Sequence, residues 1–143
     1  LNTKLSFKNW GSLTSFSFSH FGDIKIGKNR RHGFESWGLT PYYSINSREN
    51  YYPTPLSNST PNTQKNTGYD QYDLFQKFIF ALPRDMVLNV NFQYSESTDV
   101  NRYDKLAEER AGGLRYSEWY YGPQKRLFIS PQLKVFFGKT IFV

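Results

Sequence analysis

The chain has no cysteine, one methionine and two histidines among its 143 residues. Without cysteine there can be no disulfide, thiolate metal site or cysteine nucleophile, and the redox compartment is left open. His20 and His32 stand too far apart for a helical metal pair, and no Ser, His and Asp grouping has the setting of a catalytic triad. Gly138-Lys139-Thr140 resembles the end of a phosphate-binding loop, but Leu133 stands where the leading glycine belongs and the flanking pattern is that of a strand. Neither catalysis nor a metal site is expected. No run of about 18 apolar residues occurs, which excludes a transmembrane helix and leaves a transmembrane strand open. The opening LNTKLSFKNW lacks the Met, basic region and apolar stretch of a signal peptide and reads as mid-strand.

What the chain has in abundance is aromatic surface. Thirteen Phe, 11 Tyr and 3 Trp make up 19% of it, while all hydrophobic residues together reach only 38%. Soluble cores draw chiefly on Leu, Ile, Val and Ala; Tyr and Trp collect where one end of a side chain is apolar and the other wet. The net charge of +6 suits nucleic acid, an anionic lipid surface or an acidic ligand without choosing among them.

Residues 1 to 8 alternate with the two-residue period of a strand, Leu1, Thr3, Leu5 and Phe7 facing one way and Asn2, Lys4, Ser6 and Lys8 the other. Asn9-Trp10-Gly11 supplies a tight reversal. Thr14, Phe16, Phe18 and His20 then alternate with Leu13, Ser15, Ser17 and Ser19, completing a hairpin. From about 22 to 67 periodicity is lost in a long loop rich in Gly, Pro, Asn, Ser, Arg and Tyr; so long a connection points to a functional loop. Tyr72, Leu74, Phe78, Phe80 and Leu82 next alternate with Gln71, Asp73 and Lys77, and Pro83-Arg84-Asp85 closes a short turn. The cleanest strand follows, with Leu88, Val90, Phe92 and Tyr94 on one face and Asn89, Asn91, Gln93 and Ser95 on the other. A second long polar loop runs from about 97 to 121. A fifth strand then sets Leu127, Ile129, Leu133 and Val135 against Arg126, Ser130, Gln132 and Lys134, Gly138-Lys139 turns the chain, and a sixth strand begins.

Short and long connections therefore alternate. Outer-membrane barrels have short periplasmic turns, long extracellular loops, and strands in which lipid-facing and lumen-facing residues alternate. The pattern predicts an all-β fold: an antiparallel transmembrane β-barrel segment of five to six strands, too few to close, since the smallest single-chain barrels use about eight. The chain is thus expected to be an internal fragment, cut at both ends. The predicted lipid-facing residues are Leu5, Phe7, Phe16, Phe18, Leu74, Phe78, Phe80, Leu88, Val90, Phe92, Tyr94, Leu127, Ile129, Leu133 and Val135. Trp10, Phe21, Tyr69, Tyr72, Tyr94 and Phe137, near strand ends, suit the interfacial aromatic girdles. A soluble sandwich or barrel produces the same alternation but would carry two long loops as baggage.

Three stretches, NTGYDQYD at 66–73, RYDKL at 102–106 and LRYSEWYYGPQKRL at 114–127, resemble TonB-dependent outer-membrane receptors of the haemoglobin, haem and iron-chelate type, and the resemblance extends over nearly the whole chain. It implies that residues 1–143 are part of a receptor barrel of about 22 strands, in the outer membrane of a Gram-negative bacterium. A plug domain absent from this chain would be moved by the TonB complex. The transported ligand would be haem or an iron chelate, with no bound cofactor; the implied partners are outer-membrane lipid, the remaining barrel and plug, and a host haem protein, and not nucleic acid. Loop His or Tyr can hold haem iron in such receptors, while Arg and aromatic residues can contact an acidic chelate or a protein. The candidate ligand-binding residues are Arg30, Arg31, His32, Tyr51, Tyr52, Arg102, Tyr103, Arg115, Tyr116 and Trp119. Trp119, Tyr120 and Tyr121 read first as interface anchors, with Gly122-Pro123 fixing a bend, and only second as ligand contacts. Two competing readings are a soluble β-module binding single-stranded nucleic acid, which would need aromatics and basic residues on one exposed face, and an adhesin barrel without a plug.

Overall fold

The computed structural model of the chain describes residues 1–47, 49–137 and 140–142, the last three by their backbone alone. The elements run β1 (Asn2–Ser6), β2 (Trp10–Phe21), β3 (Ile24–Lys25), β4 (Tyr42–Tyr43), β5 (Leu56–Ser57), β6 (Thr63–Gln64), β7 (Tyr69–Leu82) and β8 (Met86–Ser97). There follow β9 (Val100–Asn101), the one-turn helix α1 (Tyr103–Leu106), β10 (Glu109–Arg110), β11 (Gly113–Leu114), β12 (Tyr120–Tyr121), β13 (Lys125–Phe137) and β14 (Thr140–Phe142). The fold is all-β and antiparallel, as expected. The chain divides into two compact units: the first holds Leu1–Ser19, Gln71–Ser97 and Gln124–Val143, the second His20–Asp70 and Thr98–Pro123.

The first unit is built on a six-stranded sheet in the order β1-β2-β7-β8-β13-β14. Twelve consecutive residue pairs join β7 to β8, from Gln71 opposite Ser97 to Leu82 opposite Met86. Eleven join β8 to β13. Between β2 and β7 the side-chain contacts run in opposite chain directions, Thr14 with Gln76, Ser17 with Asp73 and Phe18 with Tyr72. Among the described residues β1 and β14 are open edges and no closed barrel forms.

The turn between β7 and β8 is the predicted Pro83-Arg84-Asp85; Arg84 and Asp85 both adopt positive φ (61° and 51°), which matches the twist of a tight hairpin. The first turn is a correction. Ser6 pairs with Gly11, and the Phe7 N–H donates to the Trp10 carbonyl at 2.9 Å, so Lys8 and Asn9 form the bend and Trp10-Gly11 already belong to β2. Trp10 thereby extends the even-numbered row of Phe16 and Phe18. Phe7, expected on a strand, lies in the turn and stacks on Trp10 with ring centroids 4.5 Å apart. The third turn, expected at Gly138-Lys139, lies outside the described residues.

Register sorts the side chains. Across β7, β8 and β13, Leu88 stands between Phe80 and Leu133, Val90 between Phe78 and Pro131, Phe92 between Gln76 and Ile129, and Tyr94 between Leu74 and Leu127. Successive strand residues alternate faces, so these rows share one face, and Leu5, opposite Ser12, joins it from β1. The opposite face carries Asp73, Ser95 and Arg126 in one row and Lys77, Asn91 and Ser130 in another. It is less uniformly polar than β8 alone suggested: Gln93 sits between Phe75 and Phe128, and Asn89 faces Ile79.

Among the described residues of the first unit, none covers the apolar face. Leu127 is 60% exposed, Ile129 57% and Phe18 53%, and the only sheet side chain that is buried among the described residues is Ser97. A soluble sandwich would seal this row, whereas Leu88, Val90, Phe92 and Tyr94 are all only half-buried.

The second unit corrects the expectation of two long unstructured loops. Four two-residue ladders, β3–β6, β4–β5, β9–β12 and β10–β11, organise it. Leu106 and Leu114 are its buried apolar side chains, and Thr40, Ser44, Asn58, Gln64 and Thr67 its buried polar ones. Such a unit holds together by hydrogen bonds. Asn58 donates from Nδ2 to the carbonyls of Thr40 (2.8 Å) and Thr63 (2.9 Å) while its Oδ1 accepts the Thr60 N–H (3.0 Å). Asp23 Oδ1 accepts the N–H groups of Thr67 (2.9 Å) and Gly68 (3.1 Å), and a Cβ at Gly68 would sit 2.9 Å from the Phe21 carbonyl oxygen, closer than side chains are found to approach. The two excursions also meet: Tyr51 Oη donates to the Leu114 carbonyl (2.7 Å) and the Leu114 N–H to the Pro53 carbonyl (2.8 Å).

Candidate functional site

Two features bear on function: the uncovered apolar face of the sheet and the aromatic and basic side chains of the second unit. The apolar face is bounded at one end of the strands by polar groups. Lys125 Nζ lies 2.8 Å from the Glu96 carboxylate, and the Tyr94 hydroxyl donates to the same carboxylate. At the other end stands the stacked pair Phe7 and Trp10. One polar nest interrupts the face: Thr14 Oγ1 donates to Gln76 Oε1 (2.5 Å) and Gln76 Nε2 to Ser12 Oγ (2.7 Å), so the amide is satisfied within the sheet. Of the predicted lipid-facing residues, all but Phe7 lie in sheet strands. The predicted girdle residues Phe21 and Tyr69 stack at 4.7 Å.

The predicted ligand-binding residues separate into two groups. In the first, side chains are occupied in holding the second unit. Arg102 grips Asp104 (2.8 Å from Nε to Oδ1) and donates from Nη1 to the Tyr121 hydroxyl (2.9 Å). The guanidinium beside Asp104 holds that carboxyl below its ordinary range, and Asp104 in turn raises Arg102. Arg115 pairs with Glu108 at 2.5 Å and lies 4.9 Å from the Tyr116 ring centroid; Lys105 approaches the other Glu108 oxygen at 2.9 Å. Glu108 is held low by Lys105 and then Arg115. Tyr116 meets Trp119 edge-on at 4.4 Å and Tyr51 forms the seam to Leu114, while Tyr103 is placed half-buried by its backbone position at the start of α1. The charged pairs are surface contacts, of the kind that contribute little singly.

In the second group, side chains remain available. Arg31, His32 and Tyr52 are exposed. Arg30 is half-buried, donating from Nε to the Trp37 carbonyl (2.7 Å) and from Nη2 to Asn62 Oδ1 (2.8 Å). Arg30 and Arg31 line a cleft of about 470 Å³ with Ile26, Asn29, Phe34 and Trp37. Phe34 and Trp37 were not singled out from sequence, although an exposed Trp within six residues of an Arg pair is the signal that would have found them. His32 is not among the residues lining this cleft, and no group of three or more His, Asp or Glu side chains able to hold a metal occurs among the described residues.

Comparison with protein-family models, with curated proteins and with solved structures finds no match.

Proposed function

We propose that the chain is part of an outer-membrane β-barrel whose apolar face meets lipid and whose two long excursions lie outside the cell as ligand-capturing loops. One observation carries this reading: the register of β7, β8 and β13 gathers their aliphatic and aromatic side chains into one uncovered band. On β8 the band runs from Met86 to Tyr94 and on β13 from Leu127 to Phe137, roughly 27 and 34 Å along the strand at about 3.4 Å per residue. Tilted by about 40°, these lengths become about 21 and 26 Å, close to the ~25 Å apolar belt of such barrels. Backbone groups in hydrocarbon need partners, so in this reading further strands pair with the open edges.

The finer reading is a TonB-dependent receptor for haem, haemoglobin-derived iron or an iron chelate, acting with a plug domain and the TonB complex. It rests on the resemblance of 66–73, 102–106 and 114–127 and on the alternation of short turns with long excursions. A nucleic-acid platform needs aromatic and basic side chains on one face; Phe78, Phe92 and Tyr94 lie opposite Lys77, Arg126 and Lys134, while Phe75 and Phe128 share the basic face. An adhesin barrel shares the strand features and differs in transport.

Because the chain has no native cysteine, single cysteines at 88 to 93 can each carry an environment-sensitive fluorophore in lipid vesicles. Blue-shifted emission, quenched by a lipid-chain quencher, is expected at 88, 90 and 92 and not at 89, 91 and 93; uniform emission overturns the membrane reading. Uptake of a radiolabelled ferric chelate that ceases on deletion of the TonB complex separates a receptor from an adhesin, and uptake indifferent to that deletion rejects the receptor.

A further inference from the structure

The cleft between 26 and 37 has a chemistry of its own. Its walls include two exposed rings, Trp37 at 71% and Phe34 at 61%, beside the guanidinium groups of Arg30 and Arg31. Arg30 is pinned by its bonds to the Trp37 carbonyl and Asn62, which fixes the guanidinium and leaves its remaining N–H donors free to meet a ligand. Arg31 is exposed and forms no ion pair among the described residues. Lys25 and Lys28 flank the segment, and the one carboxylate within it, Glu35, is engaged by the Gly33 N–H at 2.9 Å. Two guanidinium groups with no carboxylate among the lining residues favour a multivalent oxyanion over a monovalent one, and a guanidinium fork matches phosphate geometry. An anion alone leaves the rings without purpose. Exposed Trp and Phe faces offer flat apolar area to the C–H face of a sugar ring, while the Asn29 amide and the open backbone at Gly27, where a Cβ would meet nothing within 4 Å, are suited to its hydroxyls. The volume of about 470 Å³ lies in the range of small-molecule sites.

We propose that this cleft binds a phosphorylated sugar, either free in solution or presented as the headgroup of a phosphorylated glycolipid. The phosphate sits between Arg31 and the free edge of Arg30, and the sugar ring lies against Trp37 and Phe34. The proposal stands on residues 25–37 and does not depend on the receptor reading.

The test uses the full chain in detergent micelles, titrated calorimetrically with N-acetylglucosamine 1-phosphate, its neutral parent sugar and inorganic phosphate. In parallel, co-flotation is measured with phosphatidylcholine vesicles, with and without lipid A as the phosphorylated glycolipid. Saturable binding of the sugar phosphate, at least about tenfold tighter than either the neutral sugar or phosphate alone, is expected from a charge-assisted contact added to ring stacking. Binding in the soluble arm alone assigns a free ligand; flotation that lipid A raises above the level with phosphatidylcholine alone, and that Arg31→Ala returns to that level, assigns a headgroup. Arg31→Ala should weaken whichever binding is seen by about tenfold or more, with Arg31→Lys intermediate because charge survives without the fork. Trp37→Ala should weaken the sugar phosphate and leave inorganic phosphate unchanged. Arg31 and Trp37 are both exposed, so these variants keep the fold, which circular dichroism verifies. Absence of binding in both arms, equal affinity for inorganic phosphate, or indifference to Arg31→Ala overturns the proposal.

Discussion

The sheet and the loop unit satisfy their backbones by opposite means. In the sheet, long unbroken ladders pair main chain with main chain, and the side chains are left to meet whatever lies on either face. In the loop unit the ladders are two residues long, and side-chain amides, carboxylates and hydroxyls, those of Asn58, Asp23, Thr40 and Thr67, complete the bonding. No buried side-chain nitrogen or oxygen among the described residues lacks a partner. The lesson is that neither region relies on an aqueous hydrophobic core: one presents its apolar surface outward, and the other is a hydrogen-bonded lattice around two leucines.

This contrast can be broken in graded steps. The largest effect is expected from a charge placed in the apolar band. On the proposed membrane reading, Val90→Arg should destabilise the protein in lipid vesicles by about 2–4 kcal/mol, measured by denaturant unfolding, while Asn91→Arg on the opposite face should shift the midpoint little. Equal penalties would erase the distinction between faces. Next comes Asn58→Ala, which strands the carbonyls of Thr40 and Thr63 and the N–H of Thr60. A cost of about 1–3 kcal/mol is expected from the groups left unsatisfied, seen as faster amide exchange at 40–63 with the β7–β8 ladder unchanged. Tyr51→Phe, which removes the donor to Leu114, should cost about 0.5–1.5 kcal/mol and accelerate proteolysis at both tips together; acceleration at one tip alone would show the seam to be idle.

The smallest effect is a pH dependence. Asp104 and Glu108 are held below their ordinary values by Arg102 and by Lys105 with Arg115. Protons therefore bind more weakly in the folded loop unit than in the unfolded chain, so the stabilisation is fully present above the ordinary carboxylate range and is lost as pH falls through the lowered folded values. Amide protection factors across 102–115, taken against the unstructured exchange rate at each pH, should fall on acidification through that window, and high salt should blunt the change because the pairs are solvent-accessible.

How much of this could be read from residues alone differs between the two regions for the same reason that they differ physically. Long strands announce themselves, because a two-residue period repeated over a dozen positions is a strong signal; Leu88 to Tyr94 and Leu127 to Val135 identified both their strands and their shared face. Near the strand ends the signal fades. Trp10 and Gly11 looked like turn residues because Asn-Trp-Gly is a turn-like string, whereas the pairing of Ser6 with Gly11 makes them strand. Gln76 breaks the apolar row between Leu74 and Phe78, and its polar end is absorbed by Ser12 and Thr14 on a neighbouring strand, a partnership invisible along the chain. The loop unit was illegible as structure. Two-residue ladders have no period, and the roles of Asn58 and Asp23 depend on partners that only folding brings near. Of the candidate ligand residues, sequence recognised chemical type but not employment: Arg102 and Arg115 look as available as Arg31 until Asp104 and Glu108 are seen beside them.

The seam between Tyr51, Pro53 and Leu114 has a consequence for chain length. Leu114 donates to one partner and accepts from another within a three-residue window of the first excursion. The tip of the second excursion is therefore gauged against the first, and an inserted or deleted residue between 108 and 114 would throw both bonds out of step at once. A peptide bond cut at either tip would leave the two halves clasped by the other, so nicking would show on a denaturing gel well before it showed in the folded molecule.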